Sequence, residues 1–291
     1  MWIADNWKEY EILDTSGGEK LERWGKYILI RPDPQVIWQT PKKDPAWKRF
    51  NGRYHRSSKG GGSWEFRELP EVWSVSYGPL TFGLKPFHFK HTGLFPEQAV
   101  NWDLCAERIR REIKSRPEDS PFRVLNLFAY TGGATLAAAA AGAHVTHVDA
   151  SKGMVSWARE NAALSGLEKA PIRWLVDDCM KFVEREQRRG NTYDAVIMDP
   201  PSYGRGPKGE LWKMEDHIYG FLQKTAQLLS GSASFFLINS YTTGLAPSVL
   251  TYMLRTVLKE RGGCTEASEI GLPVRDAGLI LPCGASGRWY T

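Results

Sequence analysis

The residues best placed for chemistry are Gly132, Gly133 and Asp149, each of which follows an apolar, strand-like stretch. Glycine adopts backbone angles closed to other residues and lets the chain pass close to a ligand, and the helix behind such a turn offers free amides. Asp149 can accept hydrogen bonds from the two vicinal hydroxyls of a ribose, as acids after the second strand of nucleotide-binding sheets do. A tight strand–helix turn needs glycine even without a ligand, but the turn and the aspartate together predict a nucleotide site.

A second chemical element is Asp199-Pro200-Pro201-Ser202-Tyr203, which ends a buried-strand pattern. Proline cannot continue a central strand ladder, so the strand must end at Asp199. This places the carboxylate at the carboxyl edge of the sheet, where open α/β sheets bind ligands. A dinucleotide-dependent oxidoreductase would need Gly-x-Gly-x-x-Gly, whereas residues 131–135 read Thr-Gly-Gly-Ala-Thr.

Alternating strands and helices must position these groups. The hydrophobic pattern predicts strands at 123–128, 144–149, 172–177, 193–199 and 233–239 and helices at 98–114, 133–142, 151–165, 179–189, 215–230 and 246–261. This alternation predicts an α/β fold whose parallel sheet is covered on both faces. The tail, 278–290, predicts a hairpin-like pair. Short extended pieces at 27–30, 36–38, 72–77 and 80–84 predict a small β-rich domain, which divides the chain into residues 1–92 and 93–291.

Composition excludes several classes of protein. The 291 residues are 42% hydrophobic and 24% charged, as in ordinary soluble proteins. No apolar run approaches the ~18 residues of a membrane span, and the N-terminus lacks a signal-peptide pattern. The four cysteines are far apart and the six histidines show no metal-ligand spacing, so we expect no metal site and a reducing, cytoplasmic location.

Five ordered motifs resemble those of class I S-adenosylmethionine-dependent methyltransferases, and most closely the bacterial group that modifies large-subunit ribosomal RNA. The motifs are His91–Gln98, Asn126–Gly133, Val148–Ser151, Asp178–Phe182 and Asp199–Tyr203. The resemblance implies a Rossmann-like, seven-stranded methyltransferase sheet, methyltransferase activity and S-adenosyl-L-methionine as the cofactor.

The resemblance also implies a cofactor site. The segment Asn126–Gly133 would wrap the methionine and ribose, Asp149 would hold the ribose hydroxyls, and Asp178 would accept a hydrogen bond from the adenine, with Asp177 as a competing candidate. The cofactor-binding residues predicted in this way are Asn126, Phe128, Ala129, Tyr130, Thr131, Gly132, Gly133, Asp149, Ser151, Asp178, Cys179 and Gln98. Ser151 also suits a helix N-cap.

Gln98 enters this site through a motif that departs from the family pattern. The RNA-modifying relatives end this motif in Asp-Gln-Arg, and this chain has Glu97-Gln98-Ala99. The arginine and its specific interaction are therefore missing, while Glu97 and Gln98 keep their capacity to hydrogen-bond. The alternative is a turn that caps helix 98–114.

The Asp199–Tyr203 segment resembles the Asp/Asn-Pro-Pro-Tyr element of amino-directed methyltransferases. There the carboxylate or amide and the adjacent proline carbonyl accept hydrogen bonds from a planar nitrogen, and the aromatic ring stacks on the base. This implies Asp199, Pro200 and Tyr203 as catalytic residues, with Tyr203 displaced by one position. Methylation of cytosine C5 requires a cysteine nucleophile, and neither 199–203 nor 238–244 contains one. A base nitrogen is therefore the predicted methyl acceptor.

RNA binding is predicted from residues 42–59, which carry seven cations against one acid. Trp47, Phe50 and Tyr54 interleave with the charges, a pattern that suits phosphate contact and base stacking. The predicted RNA-binding residues are Lys48, Arg49, Arg53 and Arg56. The alternative is a solvated basic loop with its aromatic rings packed into the small domain. A second basic stretch, 204–213, is expected to close on the substrate.

Three hypotheses follow. The first is a methyltransferase that modifies a base nitrogen in RNA, with ribosomal RNA as the favoured substrate. The second keeps the cofactor and replaces RNA with a protein or a small molecule. The third is a non-catalytic RNA-binding or ribosome-assembly protein that retains the cofactor pocket. The intact Asp149, Asp178 and Asp199 argue against a cofactor pocket that has lost its function. The basic segment 42–59, called the basic insert below, argues against a small-molecule substrate.

Overall fold

The computed structural model describes residues 1–57, 61–87, 90–117, 119–205 and 211–291. The strands are β1 (Trp2–Ile3), β2 (Tyr10–Ser16), β3 (Glu19–Trp24), β4 (Tyr27–Pro32), β5 (Gly52–Arg56), β6 (Gly62–Phe66), β7 (Trp73–Tyr77), β8 (Leu80–Leu84), β9 (Arg123–Leu127), β10 (His144–Asp149), β11 (Ile172–Val176), β12 (Ala195–Met198), β13 (Tyr203–Arg205), β14 (Leu211–Lys213), β15 (Phe235–Ser240), β16 (Cys264–Val274) and β17 (Leu279–Tyr290).

The helices are α1 (Ala99–Lys114), α2 (Gly133–Ala140), α3 (Lys152–Leu164), α4 (Cys179–Arg189), α5 (Met214–Ala226) and α6 (Pro247–Val257). Short 3-10 turns cover Pro45–Trp47, Pro96–Gln98 and Lys259–Arg261. Each helix of the predicted α/β alternation is present, with ends that differ by a few residues from the predicted ones. No helix in the described part of the chain is long and apolar enough to cross a membrane.

Two compact units divide the chain. The larger unit comprises residues 101–269 and 284–291 with Met1, and the smaller unit comprises residues 2–100 and 270–283. Residues 270–283 group with the N-terminal residues, so the units differ from a single boundary at 92/93. They group there because Ile270 and Val274 of β16 pair with β1 and β2 respectively.

The larger unit contains the Rossmann-like sheet that the sequence predicts. Among the described residues, seven strands lie in the order β11-β10-β9-β12-β15-β17-β16. Strands β9, β10, β11, β12 and β15 are parallel, and β17 is antiparallel to β15. The chain reverses its direction of travel across the sheet between β9 and β12. Ligands of open α/β sheets bind at such a switch point, beyond the carboxyl ends of the strands.

Both faces of this sheet are buried because its strands are apolar at successive positions. Leu125, Val196 and Ile238 pack in one core with α4, α5 and α6. Val124, Ile197 and Leu237, their neighbours along the strands, pack in a second core with residues of α1 and α2. Side chains alternate between the two faces of a strand, so continuous apolar runs are required here.

The tail does not form the predicted hairpin-like pair. Residues 279–290 form one strand, β17, whose partner in the fold's antiparallel pairing is β15. Gly284 and Gly287 lie within this strand, at positions where a side chain would not fit. An added Cβ would lie 2.8 Å from the Tyr241 ring at Gly284 and 2.9 Å from Leu250 Cβ at Gly287.

The smaller unit is β-rich, as predicted. Strands β2, β3 and β4 are antiparallel, β4 and β5 are parallel, and β5 and β6 form a hairpin, as do β7 and β8. The predicted extended piece at 36–38 is not a strand. The carbonyls of Val36 and Trp38 instead accept hydrogen bonds from Gly18 and Gly17, so this piece pairs with the β2–β3 turn.

Buried charges lie within the smaller unit around Glu22, whose side chain is fully buried. Its carboxylate accepts hydrogen bonds from Arg31 at 2.6 and 2.8 Å and from the Tyr10 hydroxyl at 2.8 Å, and Lys20 Nζ lies 3.6 Å away. Burial alone would raise the pKa of Glu22, but Arg31, Lys20 and these hydrogen bonds lower it to about 2. The carboxylate is therefore charged and compensated.

We expect Arg31→Met to lower the free energy of unfolding by about 3–5 kcal/mol, because it leaves a buried charge poorly compensated. The double variant Glu22→Gln/Arg31→Met should recover part of this loss. Arg23→Met, which breaks the more exposed Arg23–Glu11 pair, should cost about 0–1 kcal/mol. Urea denaturation measures all three.

The wild type should also lose stability as the pH falls from 4.5, the ordinary pKa of a glutamate, towards about 2, the lowered pKa at which Glu22 becomes protonated in the folded protein. Equal losses for Arg31→Met and Arg23→Met would contradict the assignment of Glu22 as a compensated buried charge.

Candidate active site

A strained loop, residues 128–132, follows β9 at the switch point and is called the cofactor loop below. Phe128 and Tyr130 adopt positive φ angles of 56° and 50°, a conformation that costs non-glycine residues roughly 1–2 kcal/mol each. Hydrogen bonds hold each step of the loop. The Phe128 amide donates to Cys179 Sγ at 3.3 Å, the Ala129 amide to the Val148 carbonyl at 3.1 Å, and the Tyr130 amide to Asp149 Oδ2 at 2.8 Å. Backbone strain of this kind is concentrated at functional sites.

Buried polar side chains support the loop from below. Asn126 Nδ2 donates to Thr135 Oγ1 at 2.9 Å, and this hydroxyl lies 2.9 Å from His147 Nδ1. Burial, followed by the Arg159 charge, lowers the pKa of His147 to about 3, so the imidazole is neutral. The Asn126 side chain therefore ties β9 to α2, and its predicted contact with a cofactor stays a prediction.

Packing explains the glycine pair. Gly132 has a φ of 90°, and a Cβ there would lie 3.0 Å from Ala158 Cβ. A Cβ on Gly133 would lie 2.6 Å from Trp102 Cζ2. Glycine is thus required at both positions by the approach of neighbouring helices, independently of any ligand.

Asp149 is the carboxylate best suited to a ribose. It ends β10, is half-buried, and accepts the amide of Tyr130 at Oδ2 and that of Ser151 at Oδ1, each at 2.8 Å. A carboxylate has about four lone-pair sites, so two more hydrogen bonds can be accepted. Burial raises the pKa of Asp149, and the two amide hydrogen bonds oppose the rise. The site thus fits a ligand with vicinal hydroxyls.

The residues after β11 separate into different roles. Asp177 forms an ion pair with Arg185, whereas Asp178 caps α4 by accepting the Lys181 amide at Oδ1, 2.9 Å away. No partner of Asp178 Oδ2 is found among the described residues, which favours Asp178 over Asp177 as an acceptor for adenine. Ser151 caps α3, its Oγ accepting the Met154 amide at 3.4 Å. Cys179 is buried, and burial raises the pKa of its thiol.

The Asp199 turn lies beside the loop after β9. Strand β12 ends at Met198, and the Asp199 amide donates to the Leu127 carbonyl at 3.3 Å. The Pro201 carbonyl accepts a hydrogen bond from Trp212 Nε1 at 2.6 Å. The Trp212 ring lies 5.7 Å from the ring of Phe128. The structure therefore brings Asp199 and the strained loop together, and it adds Trp212, which sequence reasoning missed.

Tyr203 lies in a different position from Trp212. It is 56% exposed and pairs with Lys213 across the β13–β14 hairpin, whereas Trp212 pairs with Gly204. Neighbouring positions of a strand face opposite sides, so Tyr203 and Trp212 project from opposite faces of the hairpin. The stacking role of Tyr203 stays a prediction. In the second basic stretch, residues 206–210 lie outside the described part of the chain.

Gln98 belongs to the smaller unit, where it ends a 3-10 turn and is buried together with Glu97. Burial raises the pKa of Glu97, although Lys20 and Arg31 oppose the rise. The turn precedes α1 directly, as the alternative interpretation expects. The cofactor contact of Gln98 stays a prediction.

The basic insert of the smaller unit differs from the predicted pattern in its aromatic residues. Trp47, Phe50 and Tyr54 are buried, and Trp47 Nε1 donates to Asp14 Oδ2 at 2.8 Å. Their predicted role in base stacking is therefore wrong, because these rings form part of the core of the unit. Arg53 pairs with Glu19 at 2.9 Å.

Lys48, Arg49 and Arg56 of the same insert are exposed and have no ion pair within the described residues. Lys59, also in this insert, lies outside that part of the chain. No group of three or more histidine, cysteine or acidic side chains that could hold a metal occurs where the structure is described.

Three features on this strand order define a Rossmann-like methyltransferase. They are the strained loop after β9, the acid Asp149 at the end of β10 and the Asp-Pro-Pro turn after β12. Residues 19–250 match the family described as S-adenosylmethionine-dependent methyltransferase, and the chain belongs to that family. S-adenosyl-L-methionine is accordingly its cofactor. The predictions of family, fold, enzyme class and cofactor are confirmed.

Similar proteins include a solved methyltransferase from Agrobacterium tumefaciens, which is 36% identical with a TM-score of 0.91 over 99% of this chain and 93% of that one. A candidate methyltransferase from Streptococcus mutans has a TM-score of 0.75 at 18% identity over 98% of this chain and 76% of that one, which shows the fold alone. The ribosomal RNA large subunit methyltransferase K/L of Pseudoalteromonas atlantica is 36% identical over 75% of this chain. This chain spans only 32% of that relative's length.

We expect Asp149→Ala to weaken S-adenosylmethionine binding by more than tenfold, because hydrogen bonds to a charged acceptor contribute about 1.5–3 kcal/mol each. Asp149→Asn, which keeps one acceptor oxygen, should lose less. Wild-type affinity should fall as acidification protonates Asp149 through its raised pKa, and the Asn variant should lack this dependence. Calorimetry across pH measures both effects. Unchanged affinity in Asp149→Ala would remove Asp149 from the site.

Proposed function

We propose that this protein transfers the methyl group of S-adenosylmethionine to a base nitrogen in RNA, with ribosomal RNA as the substrate. The observation that carries the proposal is the hydrogen bond between the Asp199 amide and the Leu127 carbonyl. It holds the Asp-Pro-Pro turn beside the strained cofactor loop, so a nitrogen bound by the turn would be adjacent to the cofactor.

The main task of the protein in methyl transfer is to align the acceptor nitrogen with the methyl group of the cofactor. The bound cofactor supplies a methyl group made electrophilic by the neighbouring sulfonium, and transfer is an in-line displacement. Asp199 and the Pro200 carbonyl accept hydrogen bonds from the target base and orient its nitrogen. Asp149 and Asp178 hold the ribose and the adenine, and Cys179 and Ser151 line and cap the surrounding elements.

The burial of Cys179 and Cys105 favours a nitrogen acceptor over a carbon acceptor. Cytosine C5 methylation needs a thiolate that attacks the base. Cys179, the cysteine beside the cofactor loop, is buried, its Sγ accepts the Phe128 amide, and its raised pKa keeps it protonated. Cys105 is also buried with a raised pKa of about 12.

RNA is supported as the substrate by two observations. Relatives 33–36% identical to this chain are named for ribosomal RNA of the large subunit. The exposed cations Lys48, Arg49 and Arg56 offer phosphate contacts, which supply most of the affinity for nucleic acid. Residues 1–92 would then act as an RNA-binding domain, and the location would be cytoplasmic, where ribosomal RNA is found.

Asp199→Ala should abolish methyl transfer while leaving the affinities for RNA and cofactor within twofold of wild type, because it removes the acceptor that orients the nitrogen. Asp199→Asn should retain part of the activity, since an amide oxygen also accepts a hydrogen bond. Single-turnover transfer to ribosomal RNA, followed by mass spectrometry of the nucleosides, measures the rate and identifies the atom. A 5-methylcytidine product, or full activity in Asp199→Ala, would overturn the proposal.

Replacing Lys48, Arg49 and Arg56 with Ser should weaken RNA binding and flatten the slope of log affinity against log salt. The slope should change by ~0.7 for each phosphate of a single strand that is no longer neutralised. Arg53→Gln is the matched control, because the Arg53 guanidinium is already paired with Glu19. Cofactor affinity should not change in either variant. RNA binding measured across a salt series tests whether these cations contact phosphates. An unaltered slope in the triple variant would show that the insert is a solvated loop without such contacts.

A further inference from the structure

The Asp-Pro-Pro turn has an unusual requirement for hydrogen-bond donors. Pro200 and Pro201 have no backbone N–H, so between Asp199 and Ser202 the backbone can be held only through carbonyl acceptors. At one end the Asp199 amide donates to Leu127, and at the other the Ser202 carbonyl accepts the Met214 amide at 3.1 Å. The middle of the turn therefore has no backbone donor of its own, and only its carbonyls can be held by a side chain.

Trp212 supplies a side-chain donor. Its Nε1 lies 2.6 Å from the Pro201 carbonyl oxygen. The pairing of Trp212 with Gly204 in the β13–β14 hairpin directs the indole to the face opposite Tyr203.

Aromatic side chains hold the indole in place. The Trp212 ring is stacked with His217 at 5.5 Å and meets the rings of Phe128 and Phe221 at 5.7 and 6.1 Å. Phe128 is the first residue of the strained cofactor loop, and Phe221 belongs to the core packed against β12. Trp212 thus contacts both Phe128 of the strained loop after β9 and Pro201 of the Asp-Pro-Pro turn.

We propose that Trp212 is a positioning residue for methyl transfer, which holds the Asp-Pro-Pro turn at a set distance from the cofactor loop. This inference rests on the proposed function, because it assigns Trp212 to the orientation of the target nitrogen through Asp199 and Pro200. A displacement of about 1 Å in such a group is enough to slow a reaction substantially.

Trp212→Phe tests the proposal, because it removes the N–H donor and keeps an aromatic ring, although a smaller one. We expect the single-turnover rate of methyl transfer to fall about tenfold, the size of effect expected from the removal of one hydrogen bond. Affinities for S-adenosylmethionine and RNA should stay within twofold. Hydrogen exchange of the Asp199 amide should accelerate, since the turn that protects it is loosened.

Trp174→Phe is the matched control. Trp174 is a half-buried tryptophan of β11 in the same unit, with its ring 4.8 Å from that of His147. It lies on neither loop of the switch point, so its replacement should change neither the transfer rate nor the exchange at Asp199.

The outcomes separate the two claims. If the wild type transfers no methyl group to RNA but Trp212→Phe still accelerates exchange at Asp199, the RNA function fails and Trp212 remains the anchor of the turn. If the wild type is active and Trp212→Phe changes neither rate nor exchange, the positioning role is overturned and the RNA function stands. An equal loss of rate in Trp174→Phe would also overturn it.

Discussion

The pairing of β9 with β12 is the constraint on which the candidate site depends. These strands are not consecutive in the chain, and their adjacency in the sheet creates the switch point where the loop after β9 meets the Asp199 turn. The parallel register continues one residue beyond β12 through the hydrogen bond from the Asp199 amide to Leu127. A shift of one residue in this register would turn every side chain of β12 to the other face of the sheet and would move Asp199 away from the loop after β9.

The loop after β9 shows how the fold stabilises a conformation that its residues disfavour. Phe128 and Tyr130 have left-handed backbone angles without being glycine. Their amides donate to Cys179 Sγ, at the start of α4, and to Asp149 Oδ2, at the end of β10. Asp149 therefore has two functions, because the carboxylate that suits a ribose also fixes the loop around it. The buried, protonated state of Cys179 follows from its place beneath this loop.

The smaller unit keeps charged side chains in its interior. Glu22, Arg31 and Lys20 compensate one another there, and Arg31 also donates to the Lys90 carbonyl at 3.0 Å. The latter hydrogen bond ties β4 to the segment that leads to Gln98. The basic insert of the same unit combines buried aromatic rings with exposed cations, so its contribution to RNA binding would be electrostatic.

Much of the larger unit could be predicted from local sequence. Apolar runs of strand length, a small-residue helix after Gly133 and prolines after Asp199 are signals that any fold containing them must satisfy, and they located the strands, the helices and the acids at the strand ends. These features depend on residues close together in the chain, where periodicity and the missing N–H of proline act directly.

Only the tertiary structure decided the partners of these residues. Nothing in the sequence around Trp212 indicates that its indole reaches Pro201, and nothing around Phe128 indicates a positive φ. The glycines at 284 and 287 resemble turn residues until Tyr241 and Leu250 are placed against them. Trp47, Phe50 and Tyr54 look suited to stacking on bases until the core that buries them is known. Each of these features is set by contacts between residues distant in the chain, which composition and spacing do not encode.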